Sequence, residues 1–218
     1  MAEASEYAST ARWGDLWVRL GAHGDSMSTF DSICAQYADS SRHYHNMEHI
    51  GNCLREFDSV HGLAHDPAAL ELAIWLHDVI YDSHAHDNEE QSAHYLLELA
   101  SEAGIARVEA ERGSDLILAT KHQGQPEEFD AQLIVDIDLS ILGQPWNTFE
   151  KYERQIRAEY AWVVQESFYE ARKAILSVFL LRDSIFVTEE FRERYEDQAR
   201  LNLKRSIDSI TLNQGRSP

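Results

Sequence analysis

The chain has 218 residues and carries 19 basic against 38 acidic side chains, a formal net charge of −19, with a pI near 4.8. That balance repels nucleic-acid backbones and anionic membrane surfaces, so a nucleic-acid polymer and a membrane are excluded as partners of the surface at large, while one local basic cleft stays open. Hydrophobic content of 44% and charged content of 26% fit a globular protein, and the length fits one domain with a substantial core. Cys34 and Cys53 are the two cysteines and form no CxxC pair, which fits a reducing compartment without a disulfide framework. No stretch approaches the roughly 18 apolar residues of a membrane helix. The first residues, Met1 to Glu6, carry acids where a secretion signal needs a basic and then an apolar run. The expectation is a cytoplasmic protein.

The apolar spacing is mostly three and four, and alternating β-branched runs are almost absent, so the fold class read here is all-α. Residues 1–9 read as a frayed tail. A first helix is expected over about 10–22, with Trp13, Leu16, Trp17 and Leu20 on one face. A second covers about 26–38, and Asp39-Ser40-Ser41 breaks it. A third runs from about Asn46 to Val60, with Ile50, Cys53, Leu54 and Phe57 inward. Asp66-Pro67 is a strong start, an N-cap residue followed by proline at the first helical position. The helix it opens is read to about Tyr81 and is apolar almost all round, the signature of a central, buried element. Near its end sits His77-Asp78, a polar pair that needs partners in such a place.

A loop at 82–87 leads into a helix over about 88–103, ended by Gly104. Another follows over about 109–121, closed by Gly124 and Pro126. Residues 133–142 form a short apolar segment holding Asp136 and Asp138. Thr148 is read as the cap of a long helix to about Gln165, followed by an apolar stretch over 168–186 and a charged helix over about 189–210. The five tryptophans read as core residues, and residues 213–218 as a loose tail. Nothing marks a second domain, so 10–212 are expected to form one.

The chemistry concentrates in Arg42-His43-Tyr44-His45-Asn46-Met47-Glu48-His49 and in His77-Asp78. His45 and His49 are four apart, a spacing that puts two side chains on one helix face. Two imidazoles joined by carboxylates from Asp78 and Asp138 suit a moderately hard divalent ion such as Mn, Fe, Zn, Ni or Co. Asp136 would share the face of Asp138 in a strand but point elsewhere in a helix.

The order His49, His77-Asp78, Asp138 in an all-helical chain resembles the HD-domain metal-dependent phosphohydrolase superfamily. Tyr44 to His49 resembles the YHNxxH signature of cyclic nucleotide phosphodiesterases, His77-Asp78-Val79 their HDV, and Ile137 to Ser140 their ADLS. The set RHYHNMEHI, WLHDVIYD, NEEQSA, ATKHQ and DIDLSILG is similar to a group of predicted HD phosphohydrolases and spans about 42–143. The resemblance implies an HD-type helical bundle, with His49, His77, Asp78 and Asp138 as metal ligands. It also implies His45 as the acid that protonates the leaving oxygen of a small phosphate ester, with a nucleotide as the expected substrate class.

The sequence departs from the pattern. Tyr81, then Asp82, stands where some members have a glutamate, and Asn88 and Glu89 stand where the two-metal branches have a histidine. His122, Glu90 and Asp82 are therefore candidates for a second metal, with Mg among the ions for it, or for groups behind the first. Glu89 is a candidate for catalysis, either as a second-metal ligand or by ordering His45 or a water. Arg42, Lys121 and Arg157 are candidates for substrate phosphate, since guanidinium and ammonium groups match its oxygens. A di-iron oxygenase, or a metal- or nucleotide-binding regulatory module without catalysis, are the alternatives. A homodimer stays open.

Overall fold

The computed structural model describes residues 6–214, in which every regular element is helical and no strand occurs. The all-α reading therefore holds. No helix among the described residues is long and apolar enough to cross a membrane. Most of the tails expected at 1–9 and 213–218 lies outside the described residues. On the described side they are shorter than expected: Ala8 is buried, Ser9 caps the first helix, and the last helix reaches Gln214.

The chain divides into two compact units, one ending at Asp138 and the other starting at Leu139, a boundary that no shift in composition marks. The first unit holds α1 (Thr10–Arg19), α2 (Ser26–Tyr37), α3 (Met47–Val60), α4 (Pro67–Leu76), α5 (Asn88–Ala103), α6 (Arg107–Ala119) and nearly all of α7 (Phe129–Leu139). The second holds a 3-10 turn (Ser140–Gly143), α8 (Trp146–Glu159), α9 (Gln165–Leu181) and α10 (Glu189–Gln214).

Helix α4 is the axis of the first unit. Every side chain from Ala69 to Leu76 is buried, as its all-round apolar character requires. Asp66 caps it, accepting from Ala69 N at 3.0 Å, with Pro67 at the first position. Trp75 stands edge-on to Trp13 at 5.5 Å, and each buried aromatic or leucine of this layer contributes about 1.5–3 kcal/mol. Glu71, buried on the same helix, accepts from Arg12 Nε at 2.6 Å and from Arg19, which ties α1 across it.

Helix α4 stops at Leu76, short of the expected Tyr81. Tertiary bonds replace the missing helical ones. Arg42 donates to the carbonyls of Asp78 at 2.6 Å and Val79 at 2.9 Å, and Ser92 Oγ bonds Ile80 N at 3.1 Å. Helix α5 ends where glycine allows it, Gly104 taking a φ of 69°.

In the second unit Thr148 is not a cap. Helix α8 starts at Trp146 without a side-chain cap and ends at Glu159, and a turn at 160–163 separates it from α9. Gly143 packs against Tyr195 so closely that a Cβ there would collide with that side chain. Of the tryptophans, Trp13, Trp17 and Trp75 are core, Trp146 is half-buried and Trp162 is exposed.

Candidate metal centre

Three helix ends bring the donors together. Asn46, the asparagine of the YHN run, is the N-cap of α3. Its Oδ1 accepts from Glu48 N at 2.9 Å and its Nδ2 donates to His43 O at 2.9 Å. His49 therefore faces inward from the first turn of α3, and is buried. His77 directly follows α4. Its Nδ1 sits 2.9 Å from Ile74 O, a carbonyl that only accepts, so Nδ1 carries the hydrogen and Nε2 is the atom turned to the cluster. Asp138 lies in the last turn of α7.

The two Nε2 atoms of His49 and His77 are 3.1 Å apart. Asp138 Oδ1 lies 3.2 Å from the first and 3.7 Å from the second, and Asp78 Oδ2 lies 3.5 Å and 3.2 Å from them. Around a metal bonded at about 2.0–2.2 Å, neighbouring donors stand about 3.0–3.5 Å apart, and the histidine pair and three of the four histidine–carboxylate pairs lie in that range. Two imidazole lone pairs cannot face each other at this distance unless a proton or a cation lies between them.

The electrostatics of the cluster carry the same demand for positive charge. Burial would lower the pKa of His77, but Asp78 and Asp138 outweigh it and hold it well above its ordinary value. Burial would raise both carboxyls; His77 and His45 pull Asp78 down, and His122, His49 and His77 pull Asp138 down.

Cys53 is a donor that the sequence reading placed only in the core. It is one helical turn after His49, with Sγ 3.7 Å from both ring nitrogens of that residue. His49, Cys53, His77 and Asp138 offer donor atoms that all lie within 4.8 Å of one another. The signal was present as the same four-residue spacing that relates His45 to His49. Burial pushes the thiol pKa well up, which keeps it protonated and a weak ligand.

His45 lies in the turn before α3. Its ring stacks on Tyr81 at 4.1 Å with 24° between planes, and stands 6.1 Å from the His49 ring. His122 Nε2 bonds Asp138 Oδ2 at 2.9 Å, the oxygen other than the one nearest His49, so it sits behind the carboxylate. His122 adopts a φ of 55°, the left-handed region, at a cost of about 1 kcal/mol for a non-glycine residue.

Other expected contacts are engaged differently. Arg42 is 8% exposed and its two terminal nitrogens hold backbone carbonyls, so it shapes the His77–Ile80 turn instead of offering a fork to phosphate. Lys121 is paired with Glu90, which removes Glu90 from metal binding and balances the lysine charge. Glu89 is half-buried in the first turn of α5, near enough to Lys121 to raise its pKa after Glu90. Asp82 accepts from His84 N at 2.8 Å and faces the His84 ring at 3.0 Å. Asn88 bonds the backbone of Asp82 in both directions, at 2.9 and 3.0 Å, and so closes the 82–87 loop. Asp136 is fully buried but turns away from Asp138, as two residues on a helix must. Arg157 belongs to the second unit. It donates to the carbonyls of Tyr160 and Val163 and lines a cavity of about 290 Å³ there.

Asp130 orders the site from a distance. Fully buried on α7, it accepts from His65 N and Asp66 N, each at 2.8 Å, and from Arg112 at 2.9 Å. It thus ties the start of α7 to the start of α4, while Asp138 and His77 meet at the far ends of the same two helices. A scan against protein-family models gives no match for this chain, and a search of curated proteins gives none either.

Proposed function

We propose that this protein is a metal-dependent phosphohydrolase of the HD type, acting on a phosphomonoester or phosphodiester of the nucleotide class. The observation that carries the reading is the convergence of His49, His77, Asp78 and Asp138: the two imidazole nitrogens lie 3.1 Å apart and each lies 3.2–3.7 Å from a carboxylate oxygen of Asp78 and of Asp138. These four residues would hold a divalent ion of the Mn, Fe, Zn, Ni or Co class. When bound, such an ion activates a water and polarises a phosphoryl oxygen.

The chain's own residues supply the rest. His45 stands outside the donor set and hands a proton to the leaving oxygen. Tyr81, stacked on it, fixes the plane of that imidazole. His122 holds one oxygen of Asp138, which leaves the other for the ion.

The test joins metal analysis to turnover of p-nitrophenyl phosphate, bis-p-nitrophenyl phosphate and a nucleotide panel. His45→Ala keeps its metal and loses about 100-fold or more in kcat. Asp78→Ala loses both. Unchanged turnover in His45→Ala rules out the acid role, and a metal-loaded protein inert toward every ester rules out the reading.

Cys53 supports a second reading, a closed structural zinc site of His49, Cys53, His77 and Asp138. Cys53→Ser separates the two: a catalytic ion survives the change, and a structural zinc is lost with the fold.

A further inference from the structure

Helices α8, α9 and α10 of the second unit enclose a cavity of about 290 Å³, none of whose lining residues belongs to the metal cluster. Trp146, Phe168, Tyr169 and Ile210 give it apolar walls. A cavity of roughly 150 Å³ holds one benzene ring, so this one has room for two fused rings. Glu150 and Glu153 line it together with Arg154, Arg157 and Arg172, three guanidiniums against two carboxylates. Two of the arginines are matched: Arg154 donates to Glu150 at 3.0 Å, and Arg172 donates to Glu153 from Nε at 3.1 Å and from Nη2. Arg157 instead donates to Tyr160 O at 2.5 Å and to Val163 O at 3.1 Å, and its guanidinium lies 4.8 Å from the ring centre of Phe168. Both acceptors are neutral carbonyls. They use two of its five N–H donors and leave its charge uncancelled. A chain of net charge −19 thus holds a surplus of one positive charge in this cavity.

We propose that this cavity is a binding site for a small planar aromatic carboxylate, whose ring lies among the aromatic side chains and whose charge meets Arg157. Mostly apolar walls with a few placed polar groups are the general make-up of a small-molecule site. The ring faces supply contact area, and the guanidinium supplies orientation, because its fork matches the two oxygens of a carboxylate. The charge selects the class. One surplus positive charge is cancelled by a carboxylate, whereas a phosphate monoester brings about −1.5 to −2 and sets the excess against Glu150 and Glu153. A neutral ring system leaves Arg157 as it was. No imidazole or thiol lines the cavity, and an arginine holds each of its carboxylates, so the site binds its ligand without reacting with it. It stands apart from the phosphohydrolase reading, and neither depends on the other.

The test is a ligand-observed NMR titration of the full chain, free of metal, with 2-naphthoate, its neutral counterpart 2-naphthamide and 2-naphthyl phosphate. Naphthoate binds with a dissociation constant of about 100 µM, and the amide and the phosphate bind about 10-fold more weakly. Arg157→Gln brings naphthoate to the level of the amide. Arg157 also bonds the turn at 160–163, so an exposed position carries the test independently. Glu150→Gln touches only exposed surface, removes one carboxylate and frees Arg154, and it tightens naphthoate about 3-fold without changing the amide. Ser209→Trp, at another exposed lining position, weakens naphthoate and amide alike by filling the space. Helical circular dichroism is the check on folding for each variant. No binding of naphthoate, equal binding of acid and amide, or weaker binding of naphthoate by Glu150→Gln overturns the proposal. Tighter binding of the phosphate than of the carboxylate overturns the ligand class.

Discussion

The cluster around Asp138 and the cluster around Arg172 treat buried charge in opposite ways. In the second, charge is neutralised in place. Arg172 forks onto Glu153, whose other oxygen accepts from Ser206 at 2.9 Å. Arg200 bonds Glu196 at 2.7 Å and the carbonyls of Leu180, Arg182 and Asp183. In the first unit, Asp78 and Asp138 instead face imidazoles, which are neutral unless they take up a proton. A closed ion pair is architecture, whereas two carboxylates whose charge is met by a proton taken up on His77 leave a place that a cation can fill. That difference separates a site from a strut, although both are polar clusters in an apolar interior.

Breaking the balanced side has the larger expected effect on stability. Arg172→Met strands Glu153 and costs about 3–5 kcal/mol in denaturant unfolding. Adding Glu153→Leu recovers most of that loss, because both charges then leave together. Arg42→Ala comes next. It removes two charge-assisted bonds from the turn carrying Asp78, costs about 3 kcal/mol and lowers Tm by about 6–12 °C. Arg42→Lys rescues little, since an ammonium cannot fork onto two carbonyls. Tyr81→Ala lowers kcat about 10-fold with metal content unchanged, and Tyr81→Phe restores it, because only the stacked face is needed. The smallest effect on stability is at the candidate site: Asp138→Asn abolishes metal retention and costs the metal-free protein about 1 kcal/mol, because His122, His49 and His77 stabilise the ionised carboxylate in the folded chain. A metal-free Asp138→Asn as costly as Arg172→Met would place this cluster among the struts.

Much of this was legible in the sequence. The Asp66-Pro67 start, the all-round apolar α4 and the Gly104 stop are local signals, and each appears where local physics puts it. That His49, His77, Asp78 and Asp138 would lie together was readable, because metal-ligand chemistry limits which residue types can serve. The rest depends on tertiary contacts. The end of α4 moved to Leu76 because Arg42, 36 residues away from Asp78, takes up the carbonyls that a longer helix would have used. That same bond removed Arg42 from the phosphate contacts, and Glu90 did so for Lys121. Cys53 was hidden by its ordinary role as a buried apolar residue. Asp130 carried no motif, since a carboxylate that clamps backbone N–H groups leaves no pattern along the chain.

The ends of the helices add a consequence of their own. Helix α4 finishes immediately before His77, and Asp138 is the penultimate residue of α7, so two carbonyl-bearing termini border the cluster. One amide-bearing terminus, that of α3, opposes them two residues before His49. Each terminus carries about half an elementary charge, so the backbone itself leaves the site negative by about one such half. That field belongs to the peptide units and survives every side-chain exchange. Variants that lose the ion should therefore still prefer a cation to an anion, and the preference is built into the way the helices end.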